Sequence, residues 1–458
     1  MPTTNCKIAL ALSLAVAAVC LAAASGPDNF TTNQGTMTLL NAFTQGWGLP
    51  GPLVEVSPGA FAGLARLNGQ SSRAFMLTSQ GALNTLHLFP GSTQVTPGVV
   101  QAVNARLYGD QEAPDADFSL GLNGNIQLYY PNGIAYPPIL SVQTVTGLLY
   151  GTQSSYNSAG NAFVQMTLSG TMTVLHNFTP QEGIPYGYPI LASDGNFYGI
   201  SGIGNQYGST SSMVYRMTPK GTLTILATYP DGRPNYPPGS FFETLIQASN
   251  GKLYGTASLG GSNRAGAIFE LSLDGTYKVL YQYSNWVFGI PTFLMQASDG
   301  NLYGAAVALP QSGGVASLFK ITTDGKYQTY YVMNNPNIGT CNCWLTQAND
   351  GKLYGTSENG GPGGVGAVWT WDLGLPKPLP AVRGTLPSSG AVGASIIVYG
   401  HSVLGATGVS FNGVPAQAFR NIGNDYISAT VPQGATTGPV TVTTPNGSAT
   451  SPGSFTVE

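Results

Sequence analysis

The stretch LIQASNGKLYGTASLGGSNRAGAIFELSLDGTYKVLYQY, Leu245 to Tyr283, decides the fold. With Thr244 before it, it reads as four short strands: a from Thr244 to Ala248, b from Lys252 to Ala257, c from Ala267 to Leu271 and d from Thr276 to Tyr283. Strand c alternates, with Ala267, Phe269 and Leu271 on one face and Ile268 and Glu270 on the other. Equivalent c strands are MVYRM from Met213, SLFKI from Ser317 and AVWTW from Ala367. Both of their faces are largely apolar, as expected of a sheet packed between two neighbours.

The unit recurs with a period of about 50 residues. The glycine that closes each LYG-like strand falls at Gly63, Gly109, Gly151, Gly199, Gly255, Gly304 and Gly355, and the glycine that opens each strand d at Gly35, Gly81, Gly124, Gly170, Gly221, Gly275 and Gly325. Four strands per such unit is the pattern of a propeller blade. The phase predicts how the ring closes. The chain opens on a lone d strand, GTMTLLNAF from Gly35 to Phe43, while its last unit, near Leu345 to Asp372, has a, b and c only. The first strand is therefore expected to complete the seventh blade and remove two open edges. The expectation is an all-β chain: a seven-bladed β-propeller over residues 25–372, closed by an N-terminal strand. A Pro-rich linker follows over 373–379, then a small β-sandwich over 380–458, read from β-branched runs separated by Gly, Pro and Asn-Gly turns.

Composition fits this architecture. The 458 residues include 62 Gly and 32 Pro, and only 8% are charged, far below the usual quarter. A net charge of -3 with no basic cluster argues against nucleic acid as a partner. Residues 1–24 carry Lys7, an apolar run from Ile8 and the small residues Ala22-Ala23-Ala24, so they read as a signal peptide cleaved after Ala24. A membrane anchor is the rival reading of that run; the A-x-A site and the missing charged stop favour cleavage. No later stretch is apolar enough to span a bilayer, so the mature chain is expected to lack a transmembrane segment and to be secreted, periplasmic or at the cell surface. Cys341 and Cys343 are then the remaining cysteines, as two thiols or as a bridge strained by its short loop.

Two resemblances rest on these residues. The LxQASDGNLYGT…GG…GAVF pattern, best matched from Ser193 to Val368, resembles the GloVer-type tandem repeat of choice-of-anchor exported bacterial proteins. The segment from Pro380 to Glu458, through VYGHSVLGATGVSFNGVPA and ISATVPQGATTGPVTVTTPNG, is similar to an IPT/TIG domain. The resemblance implies export, a propeller-like ring and an immunoglobulin-like module; neither family supplies a catalytic motif that maps onto this chain.

The candidate chemistry is sparse. Asp194-Gly195, Asn250-Gly251, Asp299-Gly300 and Asp350-Gly351 are expected to form two-residue a–b hairpins rather than calcium ligands. The Gly-rich b–c loops from Leu259 and Asn359 precede strands and so lack the helix N-terminus of a phosphate site. Tyr108, Tyr150, Tyr198, Tyr254, Tyr303 and Tyr354 recur and are read as packing between blades. Glu55, Gln101, Gln247, Gln296 and Gln347 are expected on the innermost strand, hydrogen-bonding neighbouring blades. His87 and His176 sit in equivalent outer strands and read as structural. The irregular feature is YGDQEAPDADF, where Asp110, Glu112, Asp115 and Asp117 gather in an expected b–c loop. These acids are read as a solvated loop, with calcium binding or paired-carboxylate chemistry as rivals. That loop would share a face with the long d–a crossings and with Tyr207, Tyr236 and Trp286, making it the expected binding surface. No cofactor is otherwise implied. The leading functional reading is a non-catalytic exported or cell-surface protein that contacts a glycan or an extracellular protein. The alternative is a propeller enzyme, a glycoside hydrolase or lyase, acting on polysaccharide through acids on the loop face.

Overall fold

The computed structural model describes residues 34–458 apart from 45–48, 67–71, 92, 97, 113–114, 131–137, 145, 155–159, 206–207, 231–243, 258–264, 285–289, 308–315, 334, 340–343, 358–359 and 362–363. The expected signal peptide, Tyr207, Tyr236, Trp286, Cys341 and Cys343 lie outside the described residues.

Among the described residues there is no helix, and so none long and apolar enough to cross a membrane. Seven antiparallel sheets come first among the described residues. We number them I (residues 49–88), II (100–129), III (139–177), IV (184–230), V (245–282), VI (290–332) and VII (344–372). In sheet V the strands are Leu245–Gln247, Leu253–Ala257, Ala267–Leu271 and Tyr277–Gln282, each end within one residue of the bound expected from sequence. Sheet VII borrows its fourth strand from the start of the chain. Thr36–Ala42 pairs antiparallel with Ala367–Asp372, from Thr36 opposite Asp372 to Ala42 opposite Ala367.

Each sheet buries one face against the next. Tyr108 of sheet II packs with Leu140 and Leu149 of sheet III, and Tyr254 of sheet V with Leu294 and Phe319 of sheet VI. The series returns on itself where Phe61 of sheet I meets Tyr354 of sheet VII, ring centroids 4.3 Å apart. The glycine of LYG has a packing cause. Gly255 lies opposite Phe269 across the strands, and a Cβ there would stand 2.4 Å from the ring carbon Cζ. The aromatic ring of strand c lies over the bare backbone of strand b, and Gly304 with Phe319 and Gly355 with Trp369 repeat the arrangement.

The a–b connections differ from the expected two-residue hairpins. In sheet V the Gly251 N–H donates to the Ala248 carbonyl and the Ala248 N–H to the Lys252 carbonyl, which makes a three-residue loop. Positive φ is confined to the glycine, 81° at Gly251. Asn250 instead accepts the Lys252 N–H at 3.1 Å through its side chain, an Asx turn that needs no left-handed residue of its own. Sheet III, whose sequence lacks the Asx-Gly pair, closes in the same way on Gly147 and Thr144.

Two more sheets follow between Ala381 and Val457. They enclose a separate core in which Val398 and Ile427 face Phe411, Val442 and Phe455. This C-terminal module rests on the face of the ring that carries the a–b turns. The Tyr426 hydroxyl donates to the Gln143 carbonyl at 3.2 Å, and the Asn446 amide donates to the Asn349 carbonyl at 2.9 Å.

Candidate functional site: a central cavity beneath the C-terminal module

From sheet II to sheet VII the first strand of each sheet contacts the first strand of the next, and Val54–Ser57 of sheet I contacts that of sheet II, so these strands line the middle of the ring. Their glutamines bind it together. Gln247 Oε1 accepts the Ser193 N–H of sheet IV at 2.8 Å, Gln296 the Ser249 N–H at 2.7 Å and Gln347 the Ser298 N–H at 2.8 Å. The Nε2 of each also donates to the turn of its own sheet, as Gln247 does to the Gly251 carbonyl at 2.9 Å. Glu55 takes this role where sheet VII meets sheet I, accepting from Asn349 N–H at 3.0 Å and Gly59 N–H at 2.9 Å. Burial raises its carboxyl above the ordinary range, and those two N–H groups pull it partly back. Glu55, Gln247, Gln296 and Gln347 thus make the expected bonds between neighbouring sheets, whereas Gln101, expected to do the same, makes none.

Inside this girdle lies a cavity of about 580 Å³, within the range of ligand sites. Its aromatic part joins sheets far apart in the ring. Trp344 of sheet VII stands edge-on to Phe293 of sheet VI, centroids 5.5 Å apart, and to Tyr188 of sheet IV at 6.4 Å. Polar groups of the ring come from Ser141, Thr346, Gln101 and Gln143, and the module contributes Arg383, Tyr399, His401, Asp425 and Tyr426. His401 Nδ1 and Asp425 Oδ1 are 3.0 Å apart. Ser141 and Thr346 are already engaged, their hydroxyls donating to the Pro189 and Leu53 carbonyls at 2.9 Å. Gln101 is not: neither its Oε1 nor its Nε2 finds a partner, and both are buried. Gln143 accepts the Val103 N–H at 2.7 Å, and its Nε2 is buried without a partner.

The four acids do not form a loop. Asp110 and Glu112 end the strand Leu107–Glu112, and Asp115 and Asp117 begin its partner Asp115–Leu120, in direct register. Only two residues separate the two strands, so the acids fall within the ladder. Asp115 is exposed, whereas Asp110 and Asp117 face each other across the strands and are buried, Asp117 with no exposed surface. Thr96 Oγ1 donates to Asp110 Oδ2; neither oxygen of Asp117 meets a donor. Burial, reinforced by the Asp110 charge, pushes the Asp117 carboxyl well above its ordinary range. Burial and Asp110 also raise the Tyr188 hydroxyl, which ties the pair electrostatically to the cavity. Among the described residues no three His, Cys, Asp or Glu side chains converge as metal ligands.

The recurrent tyrosines have a second role besides packing. Tyr198, Tyr303 and Tyr354 donate to Asp194, Asp299 and Asp350 of their own a–b turns at 2.8 to 3.0 Å, and Asn250 donates to the Tyr254 hydroxyl at 2.8 Å. The Asx-Gly acids are thereby consumed in turns. His176 bonds Glu182 at 3.0 Å in an outer strand, a structural contact. The sequence by itself does not single out Trp344, Phe293 and Tyr188. A signal exists for two of them: three residues before the inner glutamine, sheets VI and VII have Phe293 and Trp344 where sheet V has Thr244.

A family model described as the Gloeobacter/Verrucomicrobia repeat matches residues 241–377, so sheets V to VII are tandem repeats of that type. No curated protein matches the chain. Among solved structures, virginiamycin B lyase from Staphylococcus aureus aligns at 12% identity and a TM-score of 0.54, over 74% of this chain and 99% of that one. A streptogramin B lyase aligns at 14% identity and a TM-score of 0.50, over 73% and 97%. The WD40 β-propeller domain of Doa1 aligns at 10% identity and 0.48, over 74% and 97%. At such identities the likeness to the two lyases is one of fold alone; with the ring of sheets it makes this region a β-propeller.

Proposed function

We propose that this is a non-catalytic binding protein, exported by its N-terminal segment to the envelope or outside the cell, whose site is the central cavity rather than the loop face. The ring is read as a seven-bladed propeller and the module, from residue 380, as an immunoglobulin-like sandwich of IPT/TIG type. The carrying observation is the meeting of Trp344, Phe293 and Tyr188 from three sheets inside a cavity of about 580 Å³. Aromatic faces among a few oriented polar groups suit a ligand with one apolar face, the end of a glycan or a segment of an extracellular protein. The buried position of Asp110 and Asp117 weighs against hydrolysis through these acids, because a general acid must touch its substrate.

The test is a binding screen of the full chain against glycans and extracellular proteins, with product detection, repeated on Trp344→Leu. The reading expects a ligand retained unchanged by the native protein and lost at least tenfold by the variant. Turnover of a polysaccharide, or binding indifferent to Trp344, would sink it.

A further inference from the structure

The way the module sits on the ring is energetically uneven. Its core is its own: the apolar cluster of Val398, Ile427, Phe411 and Phe455 includes no ring residue, and no cluster of buried apolar residues joins the two among the described residues. What ties the module to the ring is chiefly hydrogen bonds, Tyr426 to Gln143 and Asn446 to Asn349. Such interfaces within a chain permit relative motion unless they are large and hydrophobic. Docking also leaves polar groups stranded. Gly423 of the module lies so close over Gln101 that a Cβ on it would stand 2.2 Å from Oε1, and the Gln101 amide beneath it is buried with no partner for donor or acceptor. The Gln143 Nε2 nearby is buried and unpartnered too. In sheets V, VI and VII the equivalent glutamines are bonded at both amide atoms. Unpaired buried amides are costly, so the covered state holds unused recognition groups beside the aromatic cluster.

We infer that the cavity takes a neutral saccharide, whose hydroxyls pair with Gln101 and Gln143 while its apolar face meets Trp344, and that the C-terminal module is the lid that must lift from Gln101 to admit it. This rests on the reading of the central cavity as the binding site. The ligand is neutral because the ring residues that stay in place, Gln101, Gln143, Ser141, Thr346 and the aromatic groups, carry no charge to compensate a buried ion, while the charged lining, Arg383, His401 and Asp425, belongs to the module that lifts away. A hydroxyl both donates and accepts, so adjacent ring hydroxyls can satisfy an amide oxygen and an amide nitrogen together. Because the lid and the saccharide compete for the space over the same amide, whatever weakens docking strengthens binding, by the fraction of molecules released from the closed state.

The test uses the full chain, calorimetry, and cellobiose, maltose, N,N′-diacetylchitobiose and a uronic-acid disaccharide as probes. At least one neutral disaccharide should bind and the uronate should not. Gln101→Leu should weaken binding at least tenfold while raising the melting temperature, since it removes an unpaired amide. Asn446→Ala, which loosens the lid, should tighten binding severalfold. Binding of the uronate alone would overturn the neutral class and leave the cavity reading standing. Undiminished affinity in Gln101→Leu would place the sugar elsewhere, and weakened affinity in Asn446→Ala would make the module part of the site instead of its lid. Should no disaccharide bind native protein or Asn446→Ala, the saccharide inference fails, while a partner lost with Trp344→Leu would keep the cavity as the site.

Discussion

Sheets V and II have the same four-strand plan and satisfy it differently. In sheet V the inner Gln247 is bonded at both amide atoms, Gly251 supplies the one left-handed residue of the a–b turn, and Thr256 faces Ile268 across strands b and c. Its Tyr254 hydroxyl and Lys252 converge on Glu270, at 3.1 and 2.5 Å. Sheet II breaks the plan at three corresponding places. Gln101 is unbonded, Ala105 stands at φ 63° where sheet V has glycine, and Asp110 faces Asp117 where sheet V has Thr256 and Ile268. Each departure costs stability, and all three fall in the sheet that borders Tyr188 and the cavity. An unpartnered hydroxyl on Thr256 is the corresponding fault in sheet V, a small one beside two buried carboxyls. Local rules broken together beside a cavity are where function is expected to have overridden stability.

The sharpest way to break this comparison is to move the fault. Ile268→Asp puts a carboxyl into sheet V at the place of Asp117, opposite Thr256 and in an apolar cluster. The loss should be about 3–5 kcal/mol, read by urea denaturation, as for any uncompensated buried charge. A loss under about 1 kcal/mol would mean that every sheet tolerates an acid there and that sheet II is not special.

The reverse change is smaller and depends on pH. Asp117 keeps its proton in the folded protein at pH values where the unfolded chain, with an ordinary value near 3.8, has lost it. The folded state therefore binds more protons, and stability falls as pH rises above that value. Asp117→Asn should gain about 1–3 kcal/mol at pH 7, since each tenfold difference in proton affinity between the folded and unfolded chains is worth about 1.4 kcal/mol, and the gain should fade towards pH 4. Parallel stability curves for the two proteins from pH 4 to 7 would show that Asp117 is not held protonated.

These contrasts also mark what is legible in the sequence. The strand order, the period and the borrowed strand from Gly35 follow from turn glycines and from cross-strand alternation, which are local, and the structure places Thr36–Ala42 where the phase requires. The role of Gln247 and its equivalents is legible because it repeats. What does not repeat misleads. The acids of sheet II read as a loop because Ala113-Pro114 looks like part of a longer connection, although strand pairing continues to Glu112 and Asp115. The cavity is invisible for a different reason: Tyr188, Phe293 and Trp344 are far apart along the chain and meet only when the ring has closed. The module's place over the a–b turns depends on contacts such as Asn446 to Asn349, which no periodicity encodes.

The smallest prediction sets the two turns directly against each other. Ala105→Gly relieves a left-handed alanine, and Gly251→Ala creates one in open space, with nothing within 4 Å of its new Cβ. The left-handed penalty, offset by the greater freedom of glycine in the unfolded chain, leaves about 0.5–1 kcal/mol in each case, a gain for Ala105→Gly and a loss for Gly251→Ala. Thermal denaturation of the two single variants and the double variant should show these shifts cancelling, since the sites are in non-adjacent sheets. Gly251→Ala has no reason to touch ligand binding. Ala105→Gly does, because the turn it relaxes begins one residue after Gln101 and holds Val103 N–H on Gln143 at 2.7 Å. If Ala105→Gly stabilises the fold and weakens ligand binding together, the strained turn is part of how Gln101 and Gln143 are positioned. If it stabilises the fold with binding unchanged, the strain of sheet II is separable from its site, and only the Gln101 amide and the buried acids distinguish it from sheet V.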